Sequence, residues 1–400
     1  MEIDTPEKQY IRTVEDVTKI IHHAKLNEKT LAPISQAIYF SGDTKQYRLL
    51  ELDNELLSKL KNGIELSFKG KKDQKAVLCS DCKTYEVKEA ETSNSLLLIP
   101  QLKFPDDHKS YSGERMVEDK EVIGVFHTYL EVKPCKPKFQ KLRKILESSS
   151  FRGSELEPEL RDSGVTMYST EELLHEIQAS HVELITALND IYAFQLDGKW
   201  RILEFQYHFR VLSAFMNVID TQSWKCDEIP ADEVMELLDG IVPSYIVQYL
   251  LSIYTEEVPQ NTSSDGRVVK LIEDRVCRML GESTLKRFSH FELKDFLNVW
   301  QGAVPEGLVT NLRQLDGLVY IDVQKNQKNI NYCPEYELAE DPGERIHHLF
   351  QLKPKWTIEE IKPYIQVFAT EKVNENMILM KYARASNNNG VRFYSSKHGK

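Results

Sequence analysis

The sequence predicts an α+β chain in which an N-terminal β region is followed by three helical blocks. Three observations predict it. Short apolar runs of strand type, punctuated by turn residues, extend from Tyr39 to Leu130. Helix-type spacing dominates after Ser169, and each later block closes on strand or turn residues. The chain has 400 residues, 41% hydrophobic and 28% charged, which is the balance of a folded protein of several domains. Its formal net charge of −11 argues against nucleic-acid binding by the molecule taken whole.

Residues 1–30 carry helical spacing, with Val14, Val17, Ile20, Ile21 and Ala24 on one face. Strand-type runs follow at Leu49–Leu52, Ile64–Phe68, Ala76–Cys79, Thr84–Val87, Leu96–Ile99 and Val122–Leu130. Between them lie turn chemistries at Asn62-Gly63, Gly70-Lys71-Lys72-Asp73, Ser80-Asp81 and Thr92-Ser93-Asn94. About six strands is few for a closed barrel, so residues 1–132 are expected to form a β-barrel-like assembly domain whose open edge a partner chain covers. Residues 133–168 are expected to be a basic segment and a mobile linker. Lys133, Lys136, Lys138, Lys141, Arg143 and Lys144 come first, and a stretch rich in Ser, Gly, Glu and Pro follows over 147–166.

In the first block (169–225), Thr170 is the expected N-cap, a break falls at Ala179-Ser180, and a helix runs from His181. Asp197-Gly198 then joins Ala193–Leu196 to Trp200–Leu203 as a hairpin. Helices followed by a hairpin form the winged-helix plan. The second block (226–343) has expected helices at Val234–Leu238, Tyr245–Tyr254, Val268–Leu280 and Phe291–Trp300, a polar loop at 259–266, a turn at Pro305-Glu306-Gly307, and a strand at Leu318–Ile321. The third (344–400) has helices at Glu344–Leu352, after Thr357, and over Asn374–Tyr382, with a hairpin turn at Asn387–Gly390. Thr170 and Thr357 open helices in the same way, which points to tandem related modules.

The charge is uneven. Residues 344–400 hold ten Lys or Arg against five Glu, a net +5, which leaves −16 for residues 1–343. No acid occurs beyond Glu375, and Lys381, Arg384, Arg392 and Lys397 fall on the expected third helix and wing. Those elements approach a groove and its phosphates in a winged helix, so these four are the candidate DNA-binding residues.

Enzyme constellations are missing from the sequence. It contains no P-loop, no Gly-x-Ser-x-Gly elbow and no His-Glu-x-x-His. The adjacent pairs His22-His23 and His347-His348 point apart on a helix. Cys79-x-x-Cys82 lacks a second ligand pair and straddles a hairpin, so it is expected to be structural, and the six cysteines are expected to be reduced. No catalytic residue, cofactor or metal is expected. The longest aliphatic run, Leu96–Ile99, is far short of the roughly 20 residues of a membrane span. The acidic N-terminus lacks an apolar signal region, and an intracellular address is expected. The four tryptophans are expected as core anchors.

Several strings bring a family into view. They are Ala76-Val77-Leu78-Cys79-Ser80, Lys83-Thr84-Tyr85, Leu96-Leu97 with Ile99-Pro100, Trp200–Phe205, Val304-Pro305-Glu306-Gly307, Lys355-Trp356-Thr357, Pro363-Tyr364-Ile365 and Asn389-Gly390-Val391. In this order and spacing they resemble the sister chromatid cohesion protein DCC family over nearly the whole chain. The resemblance implies a nuclear, non-catalytic subunit of the alternative (chromosome transmission fidelity) replication factor C clamp loader. It further implies that the N-terminal β region interlocks with the small companion subunit and the C-terminal tail of the large ATPase subunit. Three winged helices would contact single- and double-stranded DNA and DNA polymerase epsilon, and PCNA would be engaged only indirectly. The family's basic cluster falls on Lys381 and Arg384, and its architecture places the polymerase-facing surface on residues 169–205. A stand-alone winged-helix DNA-binding regulator, whose β region senses a ligand, is the alternative reading.

Overall fold

The computed structural model describes residues 11–27, 31–40, 47–104, 107, 113–258, 266–288, 290–324, 327–370, 373–388 and 390–397. The ends of the expected 1–30 helix, most of the 259–266 loop, and Asn389 of the last turn lie outside the described residues. The chain divides into two compact units, one of residues 1–65 and 86–133, the other of 66–85 and 134–400. Among the described residues, no helix is long and apolar enough to cross a membrane.

In the first unit, Val14–His23 is a helix opened by a reciprocal Thr13/Asp16 capping box, and of its apolar face only Ile21 is buried. Ile34–Phe40 pairs in parallel with Met116–Val122 as an isolated two-stranded sheet. One run expected as a strand differs. Leu49–Leu52 contributes only a bridge from Leu50 to Leu130, and a helix unforeseen from the sequence, Asn54–Lys61, follows it with Leu56 fully buried. Asp53 caps that helix through Leu56 N at 2.8 Å, a signal that the alternating leucines mask.

Thr92-Ser93-Asn94 is not a turn. Thr84–Leu98 is one continuous strand, beside Gly124–Cys135. The Thr92 hydroxyl bonds the backbone of Asn94 within the extended chain, so the turn-forming side chain is satisfied without a turn. Among the described residues no closed barrel forms, because the strands divide between separate open sheets. The β-barrel-like expectation is corrected accordingly.

In the second unit the expected linker is packed. Gln140–Ser148 is a helix, and its Leu142 and Leu146 join Leu173, Ile177, Leu184, Leu188 and Trp200 in one core. Ser149 and Phe151 are fully buried, and Glu157–Asp162 is a further helix. The physical reason is Arg201. Its guanidinium is buried and makes a bidentate pair with Glu157 at 2.7 and 2.9 Å, while its Nε donates to Ser149 O. Polar residues that read as solvent-loving satisfy an interior cation instead. The basic run is likewise partly committed: Lys141 pairs with Glu176 at 2.6 Å, and Arg143 stacks over Tyr336.

Thr170–Glu176 and His181–Asp190 complete the first helical set, each behind a capping box. The cap of the former is Ser169, one residue before the expected Thr170, because the reciprocal Glu172 stands three residues after Ser169. The hairpin Phe194–Leu196/Lys199–Arg201 turns on Asp197 (φ 52°) and Gly198 (φ 74°), the left-handed pair of a type I′ turn. The strands Ser67–Lys69 and Val77–Cys79 and the start of Thr84–Leu98 pack with this set. Lys69 Nζ donates to Leu174 O (3.0 Å) and Ala179 O (2.7 Å), and Thr84 Oγ1 donates to Glu183 at 2.6 Å.

The first and second blocks each hold a surprise. Phe205–Gln222 is an 18-residue helix with Tyr207, Val211, Leu212, Phe215 and Ile219 as its buried stripe. Val268–Leu271, expected as helix, is a strand between Thr255–Glu257 and Ile229–Pro230, and the helix begins only at Glu273. Paired β-branched residues and the outward Lys270 fit a pleated ribbon better than a helical turn. Leu293–Ala303 buries Phe296 and Trp300 completely, with Trp300 Nε1 on Cys277 O at 2.8 Å. The strands His290–Glu292, Val319–Gln324 and Gln327–Tyr332 form the closing sheet.

Candidate nucleic-acid interface

The last block is built around Trp356, which is fully buried. Its indole donates to Leu349 O (3.0 Å) and Lys353 O (2.8 Å), and its backbone exchanges both hydrogen bonds with Tyr394. The strand that ends the chain is thereby tied to the turn between the first two helices, Pro342–Leu352 and Ile358–Ile365. Thr357 and Glu360 cap the second helix reciprocally. Arg345 is buried and donates to three carbonyls, Leu338 O, Ala339 O and Tyr364 O, which stitches the block's entry segment to its helices.

The third helix, Glu375–Tyr382, starts at Asn374, whose side chain accepts from Met377 N at 3.0 Å. It runs directly into the hairpin Ala383–Asn388/Val391–Ser396. Asn388 pairs with Val391, so the loop is two residues long, tighter than the expected Asn387–Gly390 turn, and Gly390 takes φ 79°.

This register places the four candidate residues. Arg392 lies opposite Asn387 on the face that holds buried Tyr394, with its guanidinium 5.4 Å from that ring centroid. Arg384 lies opposite Ser395, on the other face. The two arginines therefore line opposite sides of one ribbon. Lys381 is exposed at the end of the third helix, its ammonium 5.0 Å from the Tyr382 ring centroid. Lys397 comes back to the same helix end and donates to Met380 O and Lys381 O, both at 2.7 Å, so its charge caps terminal carbonyls. Lys381, Arg384 and Arg392 make no ion pair among the described residues.

One component was missed from the sequence. The third helix exposes Met377 and Met380, three residues apart and beside Lys381. The signal was present as two methionines at helical spacing, but a helix with apolar residues on every side does not announce which of them face out.

Cys79 is buried against Thr84 Oγ1 (3.7 Å), and burial pushes its thiol up. His22 and His23, expected to point apart, instead meet edge to face at a helix end, and among the described residues no cluster of His, Cys, Asp and Glu could hold a metal. His347 and His348 line a shallow depression of about 310 Å³ with Glu337, Glu344 and Gln351. Trp200, Trp300 and Trp356 are buried as expected, and Trp224 packs half-buried against the central core.

Comparison with known proteins adds the family. The profile described as "Sister chromatid cohesion protein Dcc1" matches residues 47–365. The chain is 36% identical to the human sister chromatid cohesion protein DCC1 across 96% of its own length and 98% of the relative's. The mouse protein of that name is 35% identical over 96% and 97%, and the Saccharomyces cerevisiae protein 23% over 84% and 93%. Similarity that runs nearly end to end, through both compact units, is similarity of the whole architecture: this chain belongs to the Dcc1 family of sister chromatid cohesion proteins.

Proposed function

We propose that this chain is a non-catalytic subunit of an alternative replication factor C clamp loader, which it tethers to DNA and to the leading-strand DNA polymerase epsilon. On this reading it supports PCNA loading, DNA replication and sister chromatid cohesion in the nucleus. The observation that carries it is family membership across nearly the full chain. Two features of the molecule support it. The open strands of the first unit offer unpaired backbone to the large ATPase subunit's tail and the small companion subunit. The third helix and hairpin of the last block present Lys381, Arg384 and Arg392 without internal ion partners, as a phosphate-binding winged helix requires.

Each helical block is a winged-helix module on this reading, and the array gives the loader a second foothold at the fork. Tethering raises the loader's effective concentration there without new chemistry. The test is affinity purification of the tagged full-length chain from nuclear extract. The full chain is the sample because residues 66–85 pack with 134–400, and a fragment of 1–132 would strip them of that packing. Recovery of the five-subunit loader core and the polymerase is expected. Recovery of DNA without any loader subunit would replace this reading with a stand-alone winged-helix regulator.

A further inference from the structure

We propose that Ser386 is the acceptor for a basophilic protein kinase, and that the phosphate it receives draws Arg384 away from nucleic acid. The second half rests on the DNA contact proposed above. Ser386 is exposed on the strand Ala383–Asn388, and its hydroxyl has no hydrogen-bond partner among the described residues. Among the described residues that strand pairs along one edge only, with Val391–Ser396. Its other edge is open to the extended substrate cleft of a kinase.

Arg384 stands two residues before Ser386 and Lys381 five before, a cationic flank of the kind an acidic kinase groove selects. The Arg-x-Ser spacing recurs at Arg152–Ser154, Arg161–Ser163 and Arg287–Ser289; Ser289 lies outside the described residues, and the other two hydroxyls are engaged. Ser154 Oγ meets Tyr245 OH at 3.2 Å, and Ser163 Oγ donates to Leu160 O at 2.7 Å. Ser395, with Arg392 three residues before it, is only half exposed.

The register supplies the consequence. Arg384 and Ser386 share one face of the ribbon, and no carboxylate occurs anywhere in residues 376–397 to compete for the guanidinium. In the transfer, Ser386 Oγ attacks the γ-phosphorus of ATP. The bond to the β-phosphate oxygen breaks, ADP leaves, and the hydroxyl proton passes to the kinase's carboxylate base. The ester carries about −1.5 to −2 charge near neutral pH and accepts a bidentate pair from Arg384. Arg392, on the opposite face, stays free, so the phosphate weakens the surface without abolishing it.

The experiment treats the full chain with a basophilic kinase and magnesium ATP. Peptide mass spectrometry is expected to find phosphate on Ser386 and none there in Ser386→Ala. The phosphoserine ³¹P titration is expected to run below that of a free phosphoserine peptide and to return toward it in Arg384→Ala. In a salt titration on duplex DNA, phosphorylation should flatten the log–log slope by about 0.9, the loss of one phosphate contact. Absence of phosphate at Ser386, a ³¹P titration indifferent to Arg384, or an unchanged slope overturns the proposal. If the unmodified chain binds no DNA at all, the functional reading above falls, and the mass spectrum and ³¹P titration still decide the acceptor site.

Discussion

The first and last helical blocks both set helices before a hairpin, and they present opposite surfaces. In the first, the packed helices Gln140–Ser148, Thr170–Glu176 and His181–Asp190, with the short helix Glu157–Asp162 between the first two, precede a hairpin with three-residue strands. In the last, three helices precede a hairpin with six-residue strands. Residues 169–203 hold six acids against Lys199 and Arg201, whereas the last module is acid-free after Glu375. The start of the third helix is covered in the first module, where Thr84 Oγ1 accepts from Ser180 N (3.0 Å) and donates to Glu183. In the last module the corresponding helix exposes Met377, Met380 and Lys381. One plan thus serves a closed, acidic module and an open, basic one, and what differs is what packs over the third helix.

The largest test of the contrast is Arg201→Ala. It leaves Glu157 buried and unpaired beneath the first hairpin, and a loss of about 3–5 kcal/mol is expected in chemical unfolding. Among its described residues the last module has no fully buried ion pair, so DNA binding by the surviving folded fraction should be unchanged. Thr84→Val removes a bond to a carboxylate and to a helix-start N–H. A loss of about 1.5–3 kcal/mol is expected, together with faster amide exchange at the start of His181–Asp190. Protection equal to the parent's would show that the cover does not hold that helix.

On the basic side, Lys381→Glu with Arg384→Glu should flatten the salt dependence of duplex binding by two contacts. Between 50 and 200 mM salt that is about tenfold less change in affinity. An unaltered slope would remove the open module from the DNA-binding reading.

The smallest effect is acidic. Lys141 and Lys71 beside Glu176 hold its carboxyl at about 2, below its ordinary 4.5. Its contribution is therefore present above that ordinary range and is lost as pH falls toward 2. Glu176→Gln should flatten the fall in unfolding free energy between about pH 5 and pH 2, by less than about 1 kcal/mol because the lysines are solvated.

Much of this was legible in residue order. Capping residues, Asp197-Gly198, the buried tryptophans and the basic end all act within a few positions of themselves, so local spacing reports them. The helix Phe205–Gln222 is written in its stripe of apolar residues, although the hairpin it adjoins hides where it starts. The segment 147–166 was not legible. Its meaning depends on Arg201, which lies about forty residues downstream, and composition cannot distinguish a serine facing water from one capping a buried guanidinium.

The sequence by itself determined that an acidic body ends in a basic module, because charge is a property of each residue wherever it lies. Only the tertiary structure decided which of those charges are available. Register put Arg384 and Arg392 on opposite faces, Lys397 was spent on two carbonyls, and the turn after Cys79 closed over one third helix and not the other. Each of those outcomes depends on a partner distant in sequence, which a linear reading cannot supply.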